Sequence, residues 1–194
     1  GAANACFQAR GLGALLDPTL DALIAFHGGR AMLRAGYARL PADTLLPPGA
    51  EDEDYPRLLD HYAEGIAVYT RLYPGAEAAL EQLAADGHRL AVCTNKPAAL
   101  AETLLRKLGI RDRFAAMIGA DTLPVRKPDP RPYLAAVHGA GGEVARSFLV
   151  GDTDTDRKTA RAAGVRVALV AFGPEGEALE RLSPEAMLAH YDDL

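Results

Sequence analysis

From Tyr73 onward the chain alternates helix-like and strand-like segments, and this alternation restricts the possible folds more than any other feature. "AEAALEQLAADG" carries helical spacing up to a glycine stop, and "RLAVCTN" comes next as a short apolar, β-branched run. "KPAALAETLLRKLG" has Pro97 in its first turn, leucines 100, 104 and 108 on one face, and Gly109 as its stop. "FAAMIGA", "SFLVGD" and "VRVALVAFG" read as three more strands, separated by "DPRPYLAAVHGAG" and "DTDRKTARAAG" as helices. Strands joined through helices of this length form right-handed βαβ units and a parallel sheet.

In such sheets ligands bind at the carboxyl ends of the strands. Three predicted strand ends carry polar groups: Thr94 and Asn95, then Asp121 and Lys127, then Gly151 and Asp152. A hydroxyl and an amide beside a helix start suit an anion, and Lys127 adds a full positive charge. "GDTDTD" packs Asp152, Asp154 and Asp156 into five positions. These carboxylates either cap the next helix or offer hard oxygen ligands of the kind Mg²⁺ takes with water and phosphate. An anion pocket beside a magnesium site points to phosphoryl chemistry, where positioning and charge neutralisation dominate.

The first 72 residues differ in style, being Ala- and Leu-rich with no strand-like run. Asp17-Pro18 predicts a cap leading into a helix over "TLDALIAF". "GRAMLRAGYARL" and "EDEDYPRLLDHYAEGIAVYTRLY" predict two further helices, although "EDED" itself reads as solvated loop. The expected division is a helical domain over 1–72 and an α/β domain over 73–194.

A net charge of −5 lacks the clustered Lys and Arg that a nucleic-acid partner needs. No apolar run approaches the roughly 18 residues of a membrane span. Cys6 and Cys93 lie far apart, so the plain expectation is a reduced, cytoplasmic protein, monomer or homodimer. Cys93 reads as a buried strand residue. His61, His88, His138 and His190 show no paired spacing and read as structural or exposed.

"AVCTN", "RKPDP" and "VGDTDTD", in this order and spacing, resemble motifs II, III and IV of the haloacid dehalogenase-like hydrolases. The likeness is strongest to phosphoglycolate phosphatases, and extends through "YPGAEAALEQLAADGHRLAVCTNKP" and "GADTLPVRKPDPRPYLAAV". It implies an α/β fold with a Rossmann-like parallel core and a helical cap. It further implies that Thr94 hydrogen-bonds the transferring phosphoryl group with Asn95 in support, and that Lys127 stabilises its charge. Asp152 would bind Mg²⁺, and Asp156 would bind the metal or orient its waters and Lys127. The same likeness makes Arg30, in "HGGR" of the cap, either a residue that contacts the substrate carboxylate or a surface helix arginine. Asp154 has no role in the pattern and is left as a helix-start residue. The acidic "GDxxxD" pair favours a metal-dependent phosphatase over a dehalogenase.

The family's nucleophile, the first aspartate of a "DxD" that ends the first strand, is absent before Thr94. The chain opens inside a helix-like run, "GAANACFQARGLG". The expectation is therefore a core whose first, central strand is missing, through an amino-terminal shortening of about 10 to 25 residues. The implied activity is Mg²⁺-dependent hydrolysis of a small phosphorylated metabolite, such as 2-phosphoglycolate, through an aspartyl-phosphate. The alternatives are a phosphosugar phosphatase or mutase, and a catalytically silent relative that binds a ligand or partner.

Overall fold

The computed structural model describes residues 1–68 and 70–194. The chain divides into two compact units, 1–69 and 70–194. The first is helical: α1 (Ala2–Ala9), a 3-10 helix (Ala22–His27), α2 (Gly29–Tyr37) and α3 (Ala50–Glu64). Its core gathers Cys6, Phe7, Leu16, Leu33 and Leu58. Asp17 does cap its segment, its Oδ1 accepting from the amides of Thr19 and Leu20 at 2.8 Å each. The capped segment is a turn and a 3-10 helix, however, rather than the expected α-helix.

Two expectations about α3 need correction. The helix ends at Glu64, ahead of Gly65, rather than running on towards Tyr73; Tyr69 lies outside the described residues. "EDED" is not a loop but the first turn of α3 and its continuation, begun from Gly49 in the left-handed region. Acidic side chains belong there because the helix dipole favours negative charge at its amino end. Asp54 goes further and is fully buried. Arg10 clamps it through Nε at 2.7 Å and Nη2 at 2.9 Å, Arg57 Nη1 donates at 3.1 Å, and the Tyr37 hydroxyl donates to Oδ2. One buried carboxylate thus ties α1, α2 and α3 together.

The second unit contains α4 (Ala76–Ala85), β1 (Ala91–Cys93), α5 (Ala98–Lys107), β2 (Ala116–Ile118), α6 (Arg131–Gly139), β3 (Phe148–Gly151), α7 (Asp154–Ala163), β4 (Arg166–Val170) and β5 (Ala186–Leu188). β5 has no counterpart in the sequence reading, because three residues are too few to show a period. All pairings are parallel. β1 pairs with β2, in register from Ala91 opposite Ala116 to Cys93 opposite Ile118. β3, β4 and β5 form a second sheet in that order.

The sheet is therefore interrupted between β1 and β3. Among the described residues no strand pairs with either facing edge. A cavity of about 700 Å³ lies between them, lined by Leu80, Val92, Cys93, Phe114, Leu149 and Val150 among others. At one end of the gap the rings of His88 and Phe148 meet edge-on at 6.1 Å, so the starts of the two strands lie side by side. The interruption falls where the absent central strand was expected. α6 packs on β1 and β2, α7 packs on β3 and β4, and the two helices touch, so one helical layer spans both halves.

Burial opposes ionisation of Asp54, but the bonds from Arg10 and Tyr37 and the charges of Arg10 and Arg57 outweigh it and hold the carboxyl below its ordinary 3.8. A depressed folded value means that its stabilisation is complete above the unfolded value and is lost as pH falls through the folded one. Asp54→Asn is expected to cost about 3 kcal/mol at pH 7, by stranding a partly buried arginine. Denaturant unfolding should show the gap between variant and parent narrowing below pH 4, about the unfolded value of an aspartate.

Candidate active site

The carboxyl end of β3 is built around Asp156. Gly151 closes the strand, and a Cβ there would fall 2.4 Å from the Cβ of Asp156, so only glycine fits. The chain then turns through Asp152 and Thr153 into α7. Asp156, in the first turn of α7 and 4% exposed, accepts at Oδ2 from the Asp152 amide at 3.2 Å, the Thr153 amide at 3.1 Å and the Thr153 hydroxyl at 2.7 Å. Its Oδ1 accepts from Lys127 Nζ at 2.6 Å. A carboxylate has about four lone-pair sites, two on each oxygen; three donors share Oδ2, and Lys127 takes one site on Oδ1. Asp156 is thus arranged to fix the turn and to hold Lys127.

Asp152 is in the opposite condition. Beyond its own backbone amide, its carboxylate has no hydrogen-bond donor among the described residues, and burial followed by the charge of Asp156 pushes its pKa up, with Lys127 pulling the other way. A half-buried carboxylate short of donors fits a cation. Mg²⁺ commonly takes one or two protein carboxylates and completes its shell with water and phosphate. Among the described residues no three His, Cys, Asp or Glu side chains gather into a metal-binding group. Asp154 opens α7 and pairs with Lys158 one turn on, at the helix start where it was expected.

At the end of β1, the Thr94 amide bonds to Ile118 O at 2.9 Å, continuing the ladder. Its hydroxyl oxygen accepts from the Lys96 amide at 3.1 Å, which leaves the hydroxyl proton available to an acceptor in the site. The Asn95 side chain donates to the Lys127 backbone carbonyl at 2.9 Å. Burial raises the Cys93 thiol to about 11, so it stays protonated at neutral pH.

The structure thus links Asn95, the neighbour of Thr94, to Lys127, Lys127 to Asp156, and Asp156 to the Asp152 amide. Arg30 belongs to the helical unit, where its guanidinium bonds Asp52 at 2.5 Å and lies 4.4 Å over the ring of Tyr55. The sequence reading missed Thr153. The Thr-x-x-Asp spacing from Thr153 to Asp156, a relative of the capping box, was the available signal. It also missed the cap that Asp121 provides, its Oδ1 accepting from the Ala98 amide at 2.8 Å; a bond across 23 residues leaves no local pattern.

A parallel α/β core with a hydroxyl, a lysine and carboxylates converging at its strand ends is the framework of a phosphoryl-transfer hydrolase. The model of the haloacid dehalogenase-like hydrolases matches residues 39–170. The chain is 38% identical over 168 residues to a phosphoglycolate phosphatase of Mesorhizobium japonicum, covering 87% of this chain and 73% of that protein. It is 43% identical over 145 residues to a phosphoglycolate phosphatase of Cereibacter sphaeroides, covering 75% of this chain and 65% of the relative. The crystal structure of a predicted phosphoglycolate phosphatase from Haemophilus somnus superimposes with a TM-score of 0.86 at 25% identity, covering 99% of this chain and 86% of that one. The chain belongs to the haloacid dehalogenase-like hydrolases, and its family and fold are those of a phosphoric monoester hydrolase.

Lys127 is one of four donors to Asp156, whereas Asp156 is the one ion-pair partner of Lys127 among the described residues. Removing the carboxylate strands a largely buried ammonium and two turn amides, so Asp156→Ala is expected to cost about 3 kcal/mol or more. Lys127→Ala should cost less, since three donors remain. Urea midpoints of the two variants, compared at one pH, check the order.

Proposed function

We propose that the chain is the cap and most of the core of a Mg²⁺-dependent phosphatase acting on a small phosphorylated metabolite such as 2-phosphoglycolate. The observation that carries this reading is the pairing of opposites at the strand ends. Asp152 is a carboxylate short of donors, Lys127 is bonded to Asp156 beside it, and the Thr94 hydroxyl at the end of β1 keeps its proton for an anion.

On this reading the phosphoryl group lies between the end of β1 and the end of β3. Thr94 donates its hydroxyl proton to a non-bridging oxygen. Lys127, held by Asp156, neutralises the charge that builds on those oxygens, and being fixed beforehand it needs no reorganisation during the reaction. Mg²⁺, when bound at Asp152, supplies further charge neutralisation. The nucleophile is a carboxylate carried by an extended segment in the cavity between β1 and β3, whose lining reaches Cys93 and Val150 near the ends of those strands. Its oxygen attacks phosphorus as the ester oxygen departs and is protonated. Water then hydrolyses the acyl phosphate, releasing orthophosphate and restoring the carboxylate. The helical unit serves as a cap that excludes bulk water, with Arg30 the proposed reader of substrate. The division at about residue 72 separates these two tasks.

Calorimetric titration tests the site directly. Inorganic phosphate is expected to bind more tightly with Mg²⁺ present, and Asp152→Asn to abolish that synergy while leaving the far-UV spectrum unchanged. A polypeptide in which an aspartate-bearing strand fills the cavity is expected to release phosphate from 2-phosphoglycolate only with Mg²⁺, and Asp152→Asn to slow it about 100-fold or more. Metal-independent release, or full activity in the variant, would refute the assignment.

A further inference from the structure

The loops after β1 and β2 bind each other in both directions. From the first loop, the Asn95 side chain reaches across to the Lys127 carbonyl at 2.9 Å. From the second, Asp121 Oδ1 reaches back to the amide of Ala98, the first residue of α5, at 2.8 Å. Pro97, which precedes that helix, has no side-chain acceptor to offer, so α5 takes its cap from the other loop. The backbone adds a third tie, Ala120 N to Lys96 O at 3.0 Å. Gly119 lets the loops close, since a Cβ there would fall 2.5 Å from backbone atoms of Ala98.

We infer that Asn95 is a positioning residue for Lys127 rather than a ligand of the anion, with Asp121 anchoring the loop that carries it. The inference rests on the phosphatase reading for what Lys127 does, but its geometry is independent of that reading. Lys127 is held at two points: its ammonium by Asp156 and its carbonyl by Asn95. The first bond sets where the charge points, and the second sets where its side chain starts. Thr94, adjacent to Asn95, is thereby kept in register with Lys127, so that the hydroxyl and the ammonium move as one group. Asn95 is itself exposed at the strand end, which is consistent with a strap and gives it little share in the core.

Two measurements test this. Acylation of lysines by an amine-reactive ester, tracked residue by residue by mass spectrometry, reads how tightly Lys127 is held, whether or not phosphate binds. Labelling of Lys127 should rise about five-fold in Asn95→Ala and in Asn95→Asp, the factor that one such hydrogen bond is worth. Asp121→Ala should show the same direction, while Lys158 stays unchanged in all three. Unchanged labelling of Lys127 in either alanine variant overturns the strap.

The second measurement is a double-mutant cycle on affinity for inorganic phosphate. Asn95→Ala should weaken binding about five-fold in the parent, and have no further effect in Lys127→Ala. Equal losses in both backgrounds would show that Asn95 touches the anion itself, and would overturn the inference. If the parent binds no phosphate the phosphatase reading fails, while the labelling result still decides the strap.

Discussion

Everything at the carboxyl edge of this core hangs on one carboxylate and the donors gathered around it. Asp156 gathers four donors, from the turn that ends β3 and from a lysine 29 residues earlier in the chain. Its charge therefore fixes the local path of the chain first. Its effect on Asp152, raising the cost of ionisation next door, is a result of that arrangement. The repulsion between neighbouring aspartates is thus resolved unequally: one is held by four protein donors, and the other has no donor beyond its own amide among the described residues.

The helical unit contains a second carboxylate used in the same manner. Asp54, buried and held by two arginines and a tyrosine, joins three helices that also share an apolar core. Neither side chain is conspicuous in sequence. Both sit among more accessible acids: Asp54 after Glu51, Asp52 and Glu53, and Asp156 after Asp154.

That similarity explains what could be read in advance. The alternation of apolar runs with helical spacing made the parallel core legible, because each strand and helix is announced within about ten residues. Thr94, Lys127 and Asp152 were legible as strand-end groups for the same reason. The roles within "EDED" were not, since a buried acid and a solvated one look alike until the partners Arg10 and Tyr37 arrive from distant helices. Asp121 and Asn95 illustrate the same limit: each acts across a loop crossing of more than twenty residues. β5 escaped because three residues carry no period.

The interrupted sheet has a consequence for how this polypeptide behaves in company. β1 and β3 each present a row of amides and carbonyls that no strand among the described residues pairs, and between them lies a trough lined mainly by apolar side chains, with Arg89, Glu143 and Arg146 also on its wall. Proteins ordinarily shield such edges, because an unshielded one templates the addition of foreign strands. Here two face each other across one slot, so any extended apolar segment entering it gains hydrogen bonds on both sides at once. In a concentrated solution of this chain, aggregation should begin from that slot rather than from the helical layer behind it.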